Sequence, residues 1–353
     1  MTPLADLLIR RISATGPITI ADYMAECLLH PQHGYYTTRD PFGQAGDFTT
    51  APEISQMFGE MLGLCIAQSW LGQGAPDPFT LAELGPGRGT LMADALRATA
   101  RVPGFHAAAR VTLVEASPRL RARQRETLGE HPVTWTDDVT HLPEAPLFLI
   151  ANEFFDALPI RQFIRRSAGW QERMVGVTEG RLAFGLSAPT PLDALQSRLT
   201  DTAPGDMVET CAPATAIAAD IAGIITRNGG VALLLDYGDA RSRGDTLQAL
   251  KSHAFTDPLV EPGQADLTAH VDFGALAQAA APCPATRMTP QGILLERLGI
   301  TARAQTLAQR LTGPALDAHV AAHRRLTHPS EMGQLFKALA FYAPGAPPPP
   351  GFD

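Results

Sequence analysis

Apolar residues recur every three or four positions along residues 3–15, where Leu4, Leu7, Leu8 and Ile12 fall on one helical face before Gly16-Pro17 ends the run. The same spacing predicts a second helix over 18–30, closed by His30-Pro31. A polar, glycine-rich stretch follows from Gln32 to Thr50. Thr50-Ala51-Pro52-Glu53 then has the form of a capping box, with Thr50 as N-cap and Glu53 at N3. It opens a helix carrying Ile54, Met57, Phe58, Met61, Leu62, Cys65 and Ile66 on a broad apolar face, which is most simply core.

Past residue 75 the period changes. Short continuous apolar runs predict strands near 79–83, 111–115, 133–135, 147–151 and 231–236, with helical patterns between them. Strands buried on both faces and alternating with helices make a parallel sheet of the α/β class. Alternation within 161–165, 173–177 and 181–184 instead predicts an antiparallel excursion, and short helices near 190–200 and 212–226 lead back to the strand at 231. Residues 238–270 are loop-rich. Helices are expected near 272–280 and 302–325, a last strand at 335–340, and an extended or disordered tail over the proline run 344–350. The expected organisation is a helical region and cofactor lid over 1–75, a Rossmann-like domain over 76–343 with an insertion at about 160–215, and a Pro-rich tail over 344–353.

The segment from Glu83 to Thr90 carries most of the chemistry. It joins a strand to a helix through Gly85, Gly87 and Gly89, and glycines there permit positive φ and remove the Cβ atoms that would collide with a ligand. Dinucleotide sites prefer G-x-G-x-x-G. Here the spacing is G-x-G-x-G, and Glu83 stands just before the first glycine. A carboxylate at that point repels a pyrophosphate but suits the ammonium of S-adenosyl-L-methionine. An NAD-dependent oxidoreductase is the competing class, since it too needs a glycine loop and a later acid. That acid is Glu115, 26 residues past Gly89 at the end of the next strand, placed to accept ribose hydroxyls. Of Asp137 and Asp138, one is expected to meet the adenine amino group, with Asp138 the candidate; surface turn chemistry competes for both.

Asn152-Glu153-Phe154-Phe155-Asp156 follows the strand at 147–151. Ligands of open α/β sheets bind beyond the carboxyl ends of the strands. Two carboxylates, an amide and two aromatics exceed what a helix cap needs, and they suit a planar cationic acceptor such as a guanidinium. Asn152, Glu153 and Asp156 are therefore the candidate catalytic residues. The arginines of 118–125 read as a solvated helix face, and the ten histidines show no metal-ligand spacing.

The four cysteines are scattered, which argues against a disulfide framework or a zinc site. A net charge of −8 argues against a general nucleic-acid binder. No apolar run reaches the length of a membrane span, and the N-terminus lacks the apolar core of a signal peptide, so no membrane insertion and a cytoplasmic location are expected.

With Gly34-Tyr35-Tyr36, the stretch Gly46–Glu60, the glycine loop, 152–159, Asp236-Tyr237-Gly238, 266–270 and 331–333, the chain resembles the MidA family of S-adenosylmethionine-dependent methyltransferases over nearly its whole length. The resemblance implies methylation of an arginine on a partner protein, since the family's mitochondrial member is regarded as a protein arginine methyltransferase acting on a complex I subunit. It also makes Asp47, Phe48 and Thr49 cofactor-pocket or lid candidates. A reading of a different class, a binding-only assembly chaperone that retains the cofactor site as a remnant, would keep the glycine loop and Glu115 as well.

Overall fold

The apolar runs from Phe79 onward pair into one sheet in the computed structural model, which describes residues 2–38 and 49–352. The strands of its main path are β1 (Phe79–Leu84), β2 (Ala109–Val114), β3 (Val133–Thr136), β4 (Leu147–Asn152), β5 (Gly230–Asp239), β6 (Thr289–Pro290) and β7 (Phe336–Tyr342). They lie in the order β6-β7-β5-β4-β1-β2-β3. Pairing is parallel from β5 through β4, β1 and β2 to β3, whereas β7 runs antiparallel to β5 and β6 to β7. The strand order reverses at β1 and β4, which makes that pair the topological switch point. Every residue of β1 and of β4 is buried, which is why these strands read as continuous apolar runs.

Contacts divide the chain into two compact units. The sheet unit gathers Thr49–Phe155, Thr215–Ala240 and Phe273–Asp353. Its helices include α1 (Gln56–Gly72), α2 (Thr90–Thr99) and α3 (Pro118–Leu128). Leu81, Leu113, Phe148, Ile150 and Leu233 from the strands pack with Phe58, Leu62, Trp70 and Leu91 from the helices in one cluster. The accessory unit combines Asp156–Ala214 and Arg241–Asp272 with the described N-terminal residues. There the expected antiparallel excursion is present: Arg161–Arg166 pairs with Gly169–Thr178, which pairs in turn with Arg181–Leu186. A separate small sheet is formed by 248–251, 254–256 and 266–268. Packing thus follows neither boundary expected at 75 nor that at 343, because segments distant in sequence share each core.

Several local expectations are corrected. The second helix begins at Ile20 rather than 18, because Thr19 and Asp22 form a reciprocal capping box and Ile18-Thr19 pairs as a short strand. Thr50 precedes a four-residue helix, Ala51–Ile54, without capping it through its side chain. The longer α1 starts after Ser55, whose hydroxyl accepts from Met57 N. Glu53 is drawn elsewhere, accepting from Thr90 Oγ1 at 2.6 Å. The helical stretch expected over 302–325 is two helices, Ile300–Ala308 and Gly313–Thr327, and a further helix, Gln291–Arg297, precedes it. The last strand covers 336–342.

The proline run is not loose. Phe352 joins the sheet unit's core, Cys65 Sγ donates to Pro350 O at 3.4 Å, and Arg297 Nη1 donates to Gly351 O at 3.1 Å. Prolines cannot join a ladder, but they carry the terminal aromatic back to the core. Among the described residues no helix is long and apolar enough to cross a membrane, and no three or more His, Cys, Asp or Glu are grouped to hold a metal ion.

Candidate active site

The parallel register sets the carboxyl ends of β1 and β4 side by side, with Leu84 opposite Ala151. The glycine loop leaves β1 here with φ of +55° at Gly85, +52° at Gly87 and +81° at Gly89, values that favour glycine at each point. A Cβ on Gly85 would stand 2.9 Å from Phe154 Cδ2, so this backbone also needs the space. Gly89 is the N-cap of α2 and brings no side chain to cap its first amides.

Glu83, near the end of β1, is 3% exposed. One hydrogen bond reaches it, from the Met92 backbone, and burial pushes its carboxyl from the ordinary 4.5 up to about 8. Its Oε2 has no hydrogen-bond partner among the described residues. A buried carboxylate oxygen left unmatched is costly. An ammonium is the kind of group that would satisfy it, so the residue fits the cationic end of an amino-acid cofactor.

Glu115 follows β2, and its backbone N–H pairs with Thr136 O beside β3. Its Oε1 accepts from Ser117 N at 2.8 Å and its Oε2 from Gln124 Nε2 at 3.2 Å. Burial raises its pKa, and those two donors oppose the rise. Asp137 is engaged by Arg121 Nη2. Asp138 caps the short 3₁₀ turn Val139–His141, accepting from Thr140 N at 2.7 Å, and hydrogen bonds from Thr140 hold its carboxyl below the usual range.

On the β4 side, Asn152 is the last strand residue and Glu153 turns the chain with φ +50°, an uncommon angle for a side-chain-bearing residue. Glu153 Oε1 accepts from Ala51 N at 3.0 Å and from Asn152 Nδ2 at 3.2 Å. Asn152 Oδ1 is buried with no hydrogen-bond partner among the described residues. The turn is tied down by Asp236 at 1% exposure, whose Oδ2 accepts from Phe155 N at 3.0 Å and whose Oδ1 accepts from Tyr237 N at 2.9 Å.

The sheet therefore brings Glu83, the three glycines, Glu115, Asp138, Asn152 and Glu153 to one edge. Asp156 is grouped otherwise. It belongs to the accessory unit, buried, with its carbonyl accepting from Ala269 N at 2.9 Å. In that unit Tyr36 donates to Asp266 Oδ1 at 2.8 Å, and burial followed by the charges of Asp266 and Asp156 pushes its phenol up. Thr49 is half-buried, while Asp47 and Phe48 lie outside the described residues.

Two positions were given no site role by sequence reasoning. Asp236 had a visible signal, an acid closing an apolar strand. Gln124 had one too: it shares a buried stripe with Leu120 and Leu128, four residues apart, on a helix otherwise dense in arginine.

A family model described as "S-adenosyl-L-methionine-dependent methyltransferase" matches residues 61–291. The chain is 36% identical to the mitochondrial protein arginine methyltransferase NDUFAF7 of Mus musculus, over 96% of this chain and 84% of that protein. It is 35% identical to that of Homo sapiens, over 96% and 83% respectively. A crystal structure from Burkholderia thailandensis, bound to S-adenosyl-homocysteine, superposes with a TM-score of 0.85 at 32% identity, covering 99% of this chain and 93% of that one.

Proposed function

The chain belongs to the family of S-adenosyl-L-methionine-dependent methyltransferases, and we propose that its acceptor is an arginine side chain of a partner protein, a respiratory complex I subunit being the expected substrate. The observation that carries the acceptor class is the near full-length likeness to proteins named arginine methyltransferases. The site agrees chemically. A guanidinium offers five N–H donors and no acceptor, and the turn after β4 presents the unmatched Asn152 Oδ1 beside the Glu153 carboxylate.

In this reading Glu83 holds the cofactor's ammonium, Glu115 its ribose and Asp138 its adenine amino group, while Gly85, Gly87 and Gly89 let the backbone approach. Thr49 is a further candidate for the cofactor pocket. When bound, S-adenosyl-L-methionine supplies an electrophilic methyl on its sulfonium. The chain's own task is to aim a nitrogen at that methyl and to steady the charge as the N–C bond forms, the S–C bond breaks and that nitrogen gives up a proton to solvent. Glu153 orients the guanidinium, with Asn152 as a second acceptor and Asp156 as a further carboxylate for the substrate. The curated relatives are named mitochondrial; for this chain we place the activity in a bacterial cytoplasm.

The test is peptide mass spectrometry of respiratory-complex subunits from cells with and without the gene. One or two methyl groups lost from a single arginine in the deletion strain, and restored by wild-type protein but not by Glu153→Gln, support the reading. Full restoration of complex assembly by the inactive variant, with the mark still absent, would favour a binding-only assembly role.

A further inference from the structure

Gln124 is fully buried in the middle of α3, a helix otherwise dense in arginine. A leucine there would complete the apolar stripe of Leu120 and Leu128. A primary amide in that place costs free energy unless each polar atom is matched. Each is matched. Nε2 donates to Gly87 O at 2.9 Å and to Glu115 Oε2 at 3.2 Å, and Oε1 accepts from Trp135 Nε1 at 2.8 Å. One side chain therefore joins the glycine loop after β1, the acid after β2 and an aromatic of β3.

We propose that Gln124 is a positioning residue for the cofactor's ribose, setting the Glu115 carboxylate and the Gly87 backbone in one fixed relation. The inference rests on the assignment of ribose to Glu115. The amide occupies both donors on those two acceptors, and Ser117 N holds the other oxygen of Glu115, so the carboxylate cannot turn without breaking bonds on both sides. The Gln124 backbone also packs against the third glycine, since a Cβ on Gly89 would meet its Cα at 3.5 Å, an ordinary contact distance. Without the amide, Glu115 and the glycine loop lose their common anchor, and the groups facing the ribose become free to move apart.

The test is titration calorimetry of the full chain with S-adenosylhomocysteine and with its 2′,3′-dideoxy counterpart, in wild type, Gln124→Leu and Gln124→Glu. Gln124→Glu keeps the shape and the acceptor for Trp135 but loses both donors, so it decides the matter if Gln124→Leu fails to fold. Either variant is expected to lose about 10- to 100-fold in affinity for S-adenosylhomocysteine, the range for a hydrogen bond to a charged group, and less than about threefold for the dideoxy ligand. In a Glu115→Gln background the same substitutions are expected to add little further loss. Equal losses for both ligands, or none, would overturn the proposal while leaving the cofactor reading intact. A wild-type protein that binds both ligands equally well would remove the ribose assignment itself, and this inference with it.

Discussion

Glu83 links cofactor binding and stability to the same proton. Its carboxyl is 3% exposed, keeps one oxygen without a partner, and is pushed by burial from 4.5 to about 8. The folded protein thus holds a proton that the unfolded chain releases above about 4.5. The stability gained by keeping Glu83 neutral is complete at low pH and is lost as pH rises toward 8. Each pH unit in this window removes about 1.4 kcal/mol, up to about 5 kcal/mol across it. Glu83→Gln keeps the shape and removes the ionisation. Urea unfolding at about pH 5 should find the two proteins alike, and at about pH 8 should find the variant at least about 2 kcal/mol more stable. Binding runs the other way. An ammonium needs the carboxylate, so wild-type affinity for S-adenosylhomocysteine should fall about tenfold per pH unit below 8. Calorimetry near pH 7 in buffers of different ionisation enthalpy should record about one proton released per ligand bound. The variant should bind weakly, with neither the pH dependence nor the proton release. Affinity that is flat from about pH 6 to 8 in wild type, with no proton release, would refute the reasoning.

Other consequences are open to direct measurement. Glu153→Gln keeps the Oε1 acceptor for Ala51 N and should leave cofactor affinity unchanged while lowering turnover about 100-fold; a loss of cofactor binding, or intact turnover, would remove its role in holding the acceptor. Glu60 is 2% exposed and accepts from Arg97 and Arg303. Burial pushes its carboxyl up, but the two guanidiniums outweigh it and hold the pKa below the ordinary value, so its contribution is present at neutral pH and fades as the acid protonates. Glu60→Ala should cost about 2 kcal/mol at neutral pH and lower the melting temperature by roughly 4–8 °C, and an unchanged melt would show the cluster to be unimportant. Phe352→Ala should destabilise the sheet unit by about 3 kcal/mol in urea unfolding; a tail that only rests on the surface would give no such loss.

Much of this protein was legible in its sequence because the signals are local. A parallel strand buried on both faces is apolar along most of its length, so 79–83, 147–151 and 231–236 marked themselves, the acids Glu83 and Asp236 coming only near their carboxyl ends. A loop that needs positive φ must be glycine, so the turn after Glu83 did too. The acids at strand ends follow from the same logic, since a parallel sheet sends every such residue to one edge. Tertiary structure decided what depends on partners remote in sequence. Thr50 and Glu53 satisfy the pattern of a capping box, yet Glu53 accepts from Thr90 Oγ1, a donor that α2 brings to it. Phe352 is invisible as core in a proline-rich tail until helices far upstream leave room for it. The sequence marks Gln124 and Asp236 as polar positions among apolar ones, but only the packed sheet supplies Gly87, Glu115 and Trp135 to one and Phe155 to the other. The division at Phe155 and Asp156 has the same origin. Backbone propensity and side-chain period act over a few residues, whereas a buried polar group takes whatever partner the packed chain delivers.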